Sequence, residues 1–414
     1  MYKLEFTLKQ HTPLIHFQHE QEGATLRATE VKPKLDKFIL ESLAHQNKQI
    51  PTKWMVGRTK RDDGGIPLDY KITLKPIGKR QDFAISSNPN SKRDIERTKL
   101  LQKSISAEYI NRTQYFADNQ FIDKENQHSE IRKGVLYDYV LIHFFSFTKD
   151  IIEIIKPLFP SFIVSQNFGT RQTKGFGCFS IEGRSDSQIL SDLKAIPGIT
   201  GVFRKNSKNT FQEKLQFIAE HYSLLKRGKT YGGYQKSKLW EAFCSAKQIR
   251  WEKKKIKLHI KSNDPDLFEQ LKHETDVHRI DDCSQGNNKE DYKYIRALLG
   301  LAEHYEFVLT NKNRLKVTIK DKLHKNTQNK EYAVDRFQSP IRYFITEESI
   351  FLITEEINPL IHTYYDSQGI AHNREFEFTI DSLKTNKSFS LEVPKQFSLP
   401  EFIQNKGDFG PNLK

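Results

Sequence analysis

At 414 residues, with 36% hydrophobic and 29% charged residues, the chain has room for two or three domains and is polar for a compact enzyme. Lys and Arg number 66 against 52 Asp and Glu, a net charge of +14 and a pI near 9.3, which points to a polyanionic partner, RNA or DNA before a membrane. Three scattered cysteines argue against a disulfide framework or a zinc site of CxxC pairs, no apolar run nears the ~18–20 residues of a bilayer span, and the N-terminus shows no signal-peptide pattern, so a soluble, cytoplasmic protein is expected.

Tyr2 to Leu8 alternates polar and apolar residues and predicts an opening strand, ended by the turn His11-Thr12-Pro13. Glu30 to Ala44 carries Leu35, Phe38, Ile39, Leu40 and Leu43 at helical spacing, with Pro33 in the first turn. Residues 45–67 hold Gly and Pro amid charges and predict a loop, and Tyr70 to Leu74 a strand. Residues 78–133 have few apolar anchors and read as an insertion, partly helical from Ser91 to Asn111. Val135 to Phe147 is strongly β in pattern. Thr148 then caps a helix through Ile151, Ile152, Ile154, Ile155 and Leu158, which Pro157 and Pro160 should end. After the Gly-rich stretch GTRQTKGFGCF (Gly169 to Phe179), Cys178 to Ile181 closes as a strand. The order β-α-β-β-α-β is the split βαβ of ferredoxin-like domains, whose four-stranded sheet is the RNA platform of RRM-type modules.

Residues 186–210, rich in Ser, Asp, Lys and Asn, predict a linker. Beyond them, Phe211 to Leu225 and Lys238 to Cys244 predict helices, Ile256 to Ile260 a strand, and Tyr292 to Glu303 a helix. Glu306 to Leu309, Arg314 to Ile319, Ile341 to Ile345 and Ile350 to Ile353 predict further strands. The expected class is α+β: two ferredoxin-like (RRM-like) domains with Gly-rich loops, residues 1–185 with a helical or irregular insertion near 78–133, and residues 211–414.

Two stretches carry candidate chemistry. In the first, Gly169, Gly175 and Gly177 would let backbone approach a ligand, and Arg171 and Lys174 beside backbone N–H groups would make a concave phosphate site. Phe176 would stack on a base or pack beneath the loop. A plain Gly-rich hairpin with solvated cations is the competing reading. The second lies within Arg204 to Lys261, where 16 Lys or Arg face 4 acidic residues, 12 of the chain's surplus of 14. There Lys229, Tyr231, Gly232, Gly233, Tyr234, Lys236 and Lys238 put aromatic–Gly–Gly–aromatic amid lysines, with Trp240 and Arg250 nearby, a pattern suited to backbone contact and base stacking, or else an ordinary turn with packed rings. Arg336 and Arg342 flank the Ser339-Pro340 turn at a strand entrance and are candidate RNA contacts, with a structural turn as the competing reading. His16 and His19, followed by Glu20, have no third placed ligand, and His273 and His278 are as isolated, so no metal is expected. P-loop, HExxH and GxSxG motifs are absent, and Asp62, Asp63, Asp281 and Asp282 read as solvated. No catalytic constellation or cofactor is expected.

Thr12-Pro13-Leu14, Leu26-Arg27 leading into the helix, and GTRQTKGFG at Gly169 to Gly177 together resemble the RAMP superfamily, the repeat-associated RNA-binding subunits of type III CRISPR effector complexes. Arg336, Ser339 and Pro340 look like the arginine–Ser-Pro strand entrance of some members. YIRALLGLAE (Tyr294 to Glu303) is similar to the second-domain helix of the large two-domain subunit of the type III-B (Cmr) complex. The resemblance implies a non-catalytic subunit that holds the 3′ part of a guide (CRISPR) RNA and its duplex with target RNA in antiviral defence, assembled with other effector subunits. Arg27, Arg171 and Lys174 would then contact phosphates, with Lys32 and Lys34 also among the RNA-binding residues. The aspartate with which the repeated backbone subunits of such complexes cut target RNA has no counterpart here. A metal-independent endoribonuclease that processes CRISPR repeat RNA is the alternative within the same superfamily.

Overall fold

The computed structural model describes residues 1–15, 25–56, 67–85, 108–110, 132–228, 235–245, 249–271, 292–301, 304–311, 313–321, 339–365, 368–405 and 407–414. The chain divides into two compact units. The first comprises Met1–His221, Arg342–Thr354 and Gly407–Lys414, and the second Tyr222–Ile341 and Glu355–Lys406. The content is α+β, with several small, mostly antiparallel sheets.

The first unit begins with β1 (Tyr2–Gln10), α1 (Ala28–His45), β2 (Lys71–Ile85), β3 (Glu108–Ile110), β4 (Arg132–Ser146), α2 (Lys149–Ser165) and β5 (Phe179–Ile181). Their sheet has the order β3-β2-β4-β1-β5, with β1 antiparallel to β4 and β5, and β4 antiparallel to β2. Alternation along the strands turns Phe6, Leu8, Val140, Ile142 and Phe144 toward the helices. The Phe159 ring lies 4.8 Å from Phe6 and 5.1 Å from Phe144. Opposite them α1 contributes Val31, Leu35, Ile39 and Leu43.

Two expectations about these helices need correcting. Pro33 lies past the first turn of α1, which starts at Ala28; the carbonyl it cannot bond, that of Thr29, belongs to an exposed residue. Helix α2 continues through Pro157 and Pro160 to Ser165. The carbonyls these prolines leave unbonded, at Glu153 and Lys156, belong to exposed residues, where water can satisfy them. Beyond Pro157 the helix still buries Phe159, Phe162, Ile163 and Val164. At roughly 1.5–3 kcal/mol each, that burial outweighs about 3 kcal/mol per interior proline. Of the insertion expected over 78–133 and partly helical, residues 78–85 continue β2 and residues 132–133 begin β4, Glu108–Ile110 is a strand parallel to β2, and residues 91–107 and 111 lie outside the described residues.

Residues 186–210 are no linker. They form α3 (Asp186–Lys194) and β6 (Ile199–Asn206). Ser185 and Gln188 make a reciprocal capping box at the start of α3, the Ser-x-x-Gln signature of a helix N-terminus. After β6 comes α4 (Phe211–Lys226), and β6 forms one side of a three-stranded sheet with the hairpin Ile341–Ile345 and Ser349–Glu355, the second hairpin strand in the middle. Along β6 runs the C-terminal segment, whose Leu413 N–H donates to Val202 O at 2.8 Å and Gly410 N–H to Arg204 O at 3.1 Å. All five residues of Ile341–Ile345 are buried.

In the second unit, Ile256 to Ile260 is helical rather than a strand, within α5 (Glu252–Asn263). Glu252, Ile256, His259 and Ile260 all face the core, a spacing of four, three and one that fits only a helix. Tyr292 to Glu303 is not one helix: a two-residue strand, Tyr292–Lys293, leads into the 3-10 turn Ile295–Leu299, in which Ile295, Ala297, Leu298 and Leu299 are all buried. With four of its five residues buried and only Arg296 partly exposed, the segment lacks the broad polar face of a surface helix. The four-stranded sheet has the order Ser388–Glu392, Glu375–Thr379, Arg314–Asp321, His304–Val308, each antiparallel to its neighbours. Tyr294, Phe376 and Phe378 pack edge to face in its core.

Candidate nucleic-acid interface

The Gly-rich stretch is bound to its own chain at almost every step. Gly169 N–H donates to Glu30 Oε1 at 2.9 Å and Cys178 N–H to Thr12 Oγ1 at 3.0 Å. Thr170 N–H reaches Ile15 O at 2.7 Å, and Gly177 N–H reaches Pro13 O at 3.0 Å. Lys174 bridges to Tyr343 in the buried hairpin strand, and Asn167 Nδ2 donates to Tyr343 O at 2.9 Å. Gly169 and Gly177 have φ of +76° and +63°, and a Cβ would lie 2.4 Å from Ile15 O at the first and 2.0 Å from Phe168 O at the second. The space these glycines leave is therefore filled by the chain's own carbonyls, which corrects the expectation that they open the backbone to a ligand. Gly175 faces the side chains of Ile218 and Ile345 in the same way. Phe176, 1% exposed, packs beneath the loop and does not present its ring for stacking.

The outer rim of the loop carries the half-buried side chains of Arg171, Gln172, Thr173 and Lys174, with Arg171 Nη2 and Lys174 Nζ themselves buried. It lies against the start of α1, because Gly169 is bonded to Glu30 in that helix's first turn. Arg27 occupies the N-cap with an extended backbone and a half-buried side chain. A helix N-terminus presents N–H groups and the positive end of the macrodipole, which together favour an anion. The loop that carries Arg171 and Lys174 is thus tied to the helix end at which Arg27 stands, with the Glu30 carboxylate in the same first turn. Lys32 and Lys34, expected beside them, are engaged within the fold. Lys32 Nζ donates to Asp36 Oδ2 at 2.9 Å and Leu68 O at 2.8 Å; Lys34 pairs with Glu30 at 3.1 Å and lies over the Phe168 ring.

The basic cluster is divided between the two units. Lys229, Tyr231, Gly232, Gly233, Tyr234 and Arg336 lie outside the described residues, as do His16, His19 and Glu20. Lys236 Nζ sits 3.6 Å over the Trp240 ring, Lys238 pairs with Glu241 at 3.1 Å, and Arg250 reaches the Tyr292 hydroxyl at 3.4 Å. Lys214 is buried and donates to Thr346 O at 2.8 Å and Glu347 O at 2.6 Å. Lys226 is enclosed against Gly300 O at 2.6 Å, and burial lowers its pKa to about 7. On α5, Lys254, Lys257 and Lys261 share an outward face, opposite the buried Ile256 and Ile260. Arg342, expected as an RNA contact at a strand entrance, is 1% exposed and donates through Nη1 to Val164 O at 3.1 Å. It ties the hairpin to α2 and presents no face to a ligand.

Sequence reasoning passed over His11, which the fold encloses. Its Nε2 lies 2.8 Å from Ser180 Oγ, and burial lowers its pKa to about 4 even though Glu347 opposes the shift. Nothing in the local sequence marks it, because the elements that enclose it come from far along the chain. Cys178 is likewise enclosed; burial raises its thiol to about 11, and its sulfur accepts from Ile345 N–H at 3.4 Å. Among the described residues no group of three or more His, Cys, Asp or Glu could hold a metal ion, and no helix is long and apolar enough to cross a membrane.

The family model of the Cmr1 N-terminal domain matches residues 1–229, and that of the Cmr1 C-terminal domain matches residues 234–409. No curated protein sequence matches the chain. Among solved structures, the apo crystal structure of Cmr1 from Pyrococcus furiosus is similar over 86% of this chain and 89% of that one, at 10% sequence identity and a TM-score of 0.34.

Proposed function

The chain belongs to the Cmr1 family of type III-B CRISPR (Cmr) complex subunits, and on that premise we propose that it grips the 3′ part of a guide RNA and the guide–target duplex without cutting either. The observation that carries this reading is the family match, which spans both halves of the chain. RNA as the ligand is supported by the net charge of +14, by Arg27 at the start of α1, and by Arg171 and Lys174 on the loop bonded to that helix. The non-catalytic part is supported by a sequence without a recognisable catalytic motif and by the full burial of Cys178. Antiviral defence in the cytoplasm, beside the other effector subunits, is the setting such an assembly implies.

The finer reading of the fold is two ferredoxin-like domains. In the first, the order β2-β4-β1-β5 with α1 and α2 on one face supports it. For a second, the C-terminal segment, β6 and the two hairpin strands lie in a comparable order, with α4 following β6.

Titration of a fluorescent single-stranded RNA with the full chain in EDTA, between about 50 and 200 mM salt, tests the proposal. Steeply salt-dependent binding and intact RNA are expected. Replacing Arg171 and Lys174 together by Ala should reduce the salt slope by roughly 0.7 for each phosphate that is no longer neutralised. An unchanged slope in that variant rules out the rim as the binding surface. Cutting of repeat RNA in EDTA would establish the endoribonuclease instead.

A further inference from the structure

The first sheet has a second face, opposite α1 and α2, which no described helix covers. On β4 its outward row is Tyr139, Leu141, His143 and Phe145, alternating with the buried Val140, Ile142 and Phe144. A solvent-facing strand row is ordinarily polar; here all four side chains are apolar or aromatic and half-buried. The rings of His143 and Phe145 stack, 6.0 Å apart at 27°. Residues two apart on a strand lie about 6.6 Å apart, so the row offers evenly spaced platforms along one line.

The strand register places cations on both sides of this row. Lys3 and Lys9 of β1 stand opposite Phe145 and Tyr139, and Lys71 and Lys75 of β2 opposite Phe145 and Leu141. Lys3 Nζ lies 5.8 Å from the Phe145 ring and Lys9 Nζ 4.9 Å from the Tyr139 ring. Two carboxylates face these four lysines: Glu5 of β1, held at 2.7 Å by His143 Nε2, and Glu347, which pairs with Lys9 at 3.2 Å and leaves Lys3, Lys71 and Lys75 as the principal cations of the row. An aromatic row bordered by cations matches a polyanion that carries flat apolar faces, and single-stranded nucleic acid has that chemistry.

We propose that this face is a second RNA contact, where unpaired bases stack on Tyr139 and Phe145 while the flanking lysines meet the phosphates. The inference rests on RNA being the ligand of the chain. It lies apart from the Arg27–Arg171–Lys174 rim and lends selectivity for unpaired RNA, which a phosphate grip alone does not give.

The test uses the full chain, the Tyr139→Ala/Phe145→Ala double variant and the conservative Tyr139→Phe/Phe145→Tyr variant. Each is titrated by fluorescence anisotropy with a uridine-rich single strand and with an RNA duplex of the same length, at several salt concentrations. The alanine variant should bind the single strand about tenfold or more weakly, as loss of base stacking does. Its salt slope, its duplex affinity and its melting temperature should stay unchanged, and the conservative variant should bind as the parent does. Unchanged single-strand affinity, an equal loss on the duplex, or a reduced salt slope would each overturn the stacking role. If Arg171→Ala/Lys174→Ala weakens binding while the aromatic variant does not, the sheet face alone is refuted. If the parent chain binds neither RNA, the RNA reading falls and this inference falls with it.

Discussion

Gly177→Ala separates two explanations of the Gly-rich stretch. If the glycine serves a ligand, the free protein should tolerate alanine and lose affinity; if it serves the chain's own packing, the fold itself should suffer. A Cβ at this position would lie 2.0 Å from Phe168 O and 2.9 Å from the Phe168 carbonyl carbon, with φ at +63°. Both neighbours are backbone, so no side-chain rotation relieves the clash. A left-handed φ costs a residue with a Cβ about 1–2 kcal/mol. Moving the two segments apart also weakens the bonds from Phe168 N–H to Gly177 O and from Gly177 N–H to Pro13 O, both 3.0 Å, at about 1 kcal/mol each. The expected loss is about 3–4 kcal/mol, a large share of the ~5–15 kcal/mol that holds a domain.

Gly198 supplies the control, since its φ is +80° but a Cβ there would meet nothing within 4 Å. Gly198→Ala should cost only the conformational term, about 1–2 kcal/mol. Urea unfolding of the full chain, followed through the buried Trp54 of the first unit with Trp240 and Trp251 replaced by Phe, reads both variants. Gly177→Ala should move the midpoint well beyond Gly198→Ala. Equal midpoints would refute the packing argument and return Gly177 to the ligand.

Arg342→Ala should destabilise the first unit by roughly 2–4 kcal/mol, through the cavity and the lost bond to Val164 O, while the RNA affinity of the folded fraction is unchanged; reduced affinity with unaltered unfolding would contradict this. His11 bears on pH. Its folded pKa, about 4, lies below the ordinary 6.5, so the unfolded chain takes up a proton that the folded one refuses. The contribution is complete above about pH 6.5 and is lost as pH falls through about 4, up to about 3 kcal/mol in all. His11→Gln should flatten that part of a pH series of Trp54-monitored unfolding, and a His11 pKa near 6.5 by NMR would remove its basis.

Most of the strands and helices up to residue 181 are legible because single-period patterns dominate them: alternation in Tyr2 to Leu8, and helical spacing in Leu35, Ile39 and Leu43; the outer half of β2 and β3, polar and short, are not. Where two periods compete, local pattern fails. IKLHI at Ile256 to Ile260 alternates over five residues and imitates a strand, yet Glu252 at the start of that helix is fully buried. It can be buried because Ile295 N–H donates to it at 3.0 Å and the Tyr305 hydroxyl at 2.9 Å. Partners more than 40 residues away in sequence leave no local trace. Helix α3 is the opposite case, since Ser185 and Gln188 spell its capping box in a stretch too polar to draw notice. At the Gly-rich loop the need for glycine is legible, but its cause is not: the carbonyls that crowd Gly169 and Gly177 come from Ile15 and from Phe168 across a tight turn.

The same distinction governs how charge should be read. Sixteen cations between Arg204 and Lys261 look like a single surface when counted along the chain. In the fold, Lys214 closes the hairpin turn through Thr346 O and Glu347 O, Arg204 pairs with Asp186 at 2.9 Å, and Lys226 is shut in against Gly300 O. A buried cation that donates to carbonyls contributes to the net charge but little to the field at the surface that meets a partner. Lys3, Lys9, Lys71 and Lys75 are separated by up to 72 positions in sequence. Strand pairing sets them around one aromatic row, where no window along the chain would have counted them together. What a polyanion meets is therefore decided by register and burial, and the densest stretch of positive sequence need not be the strongest positive surface.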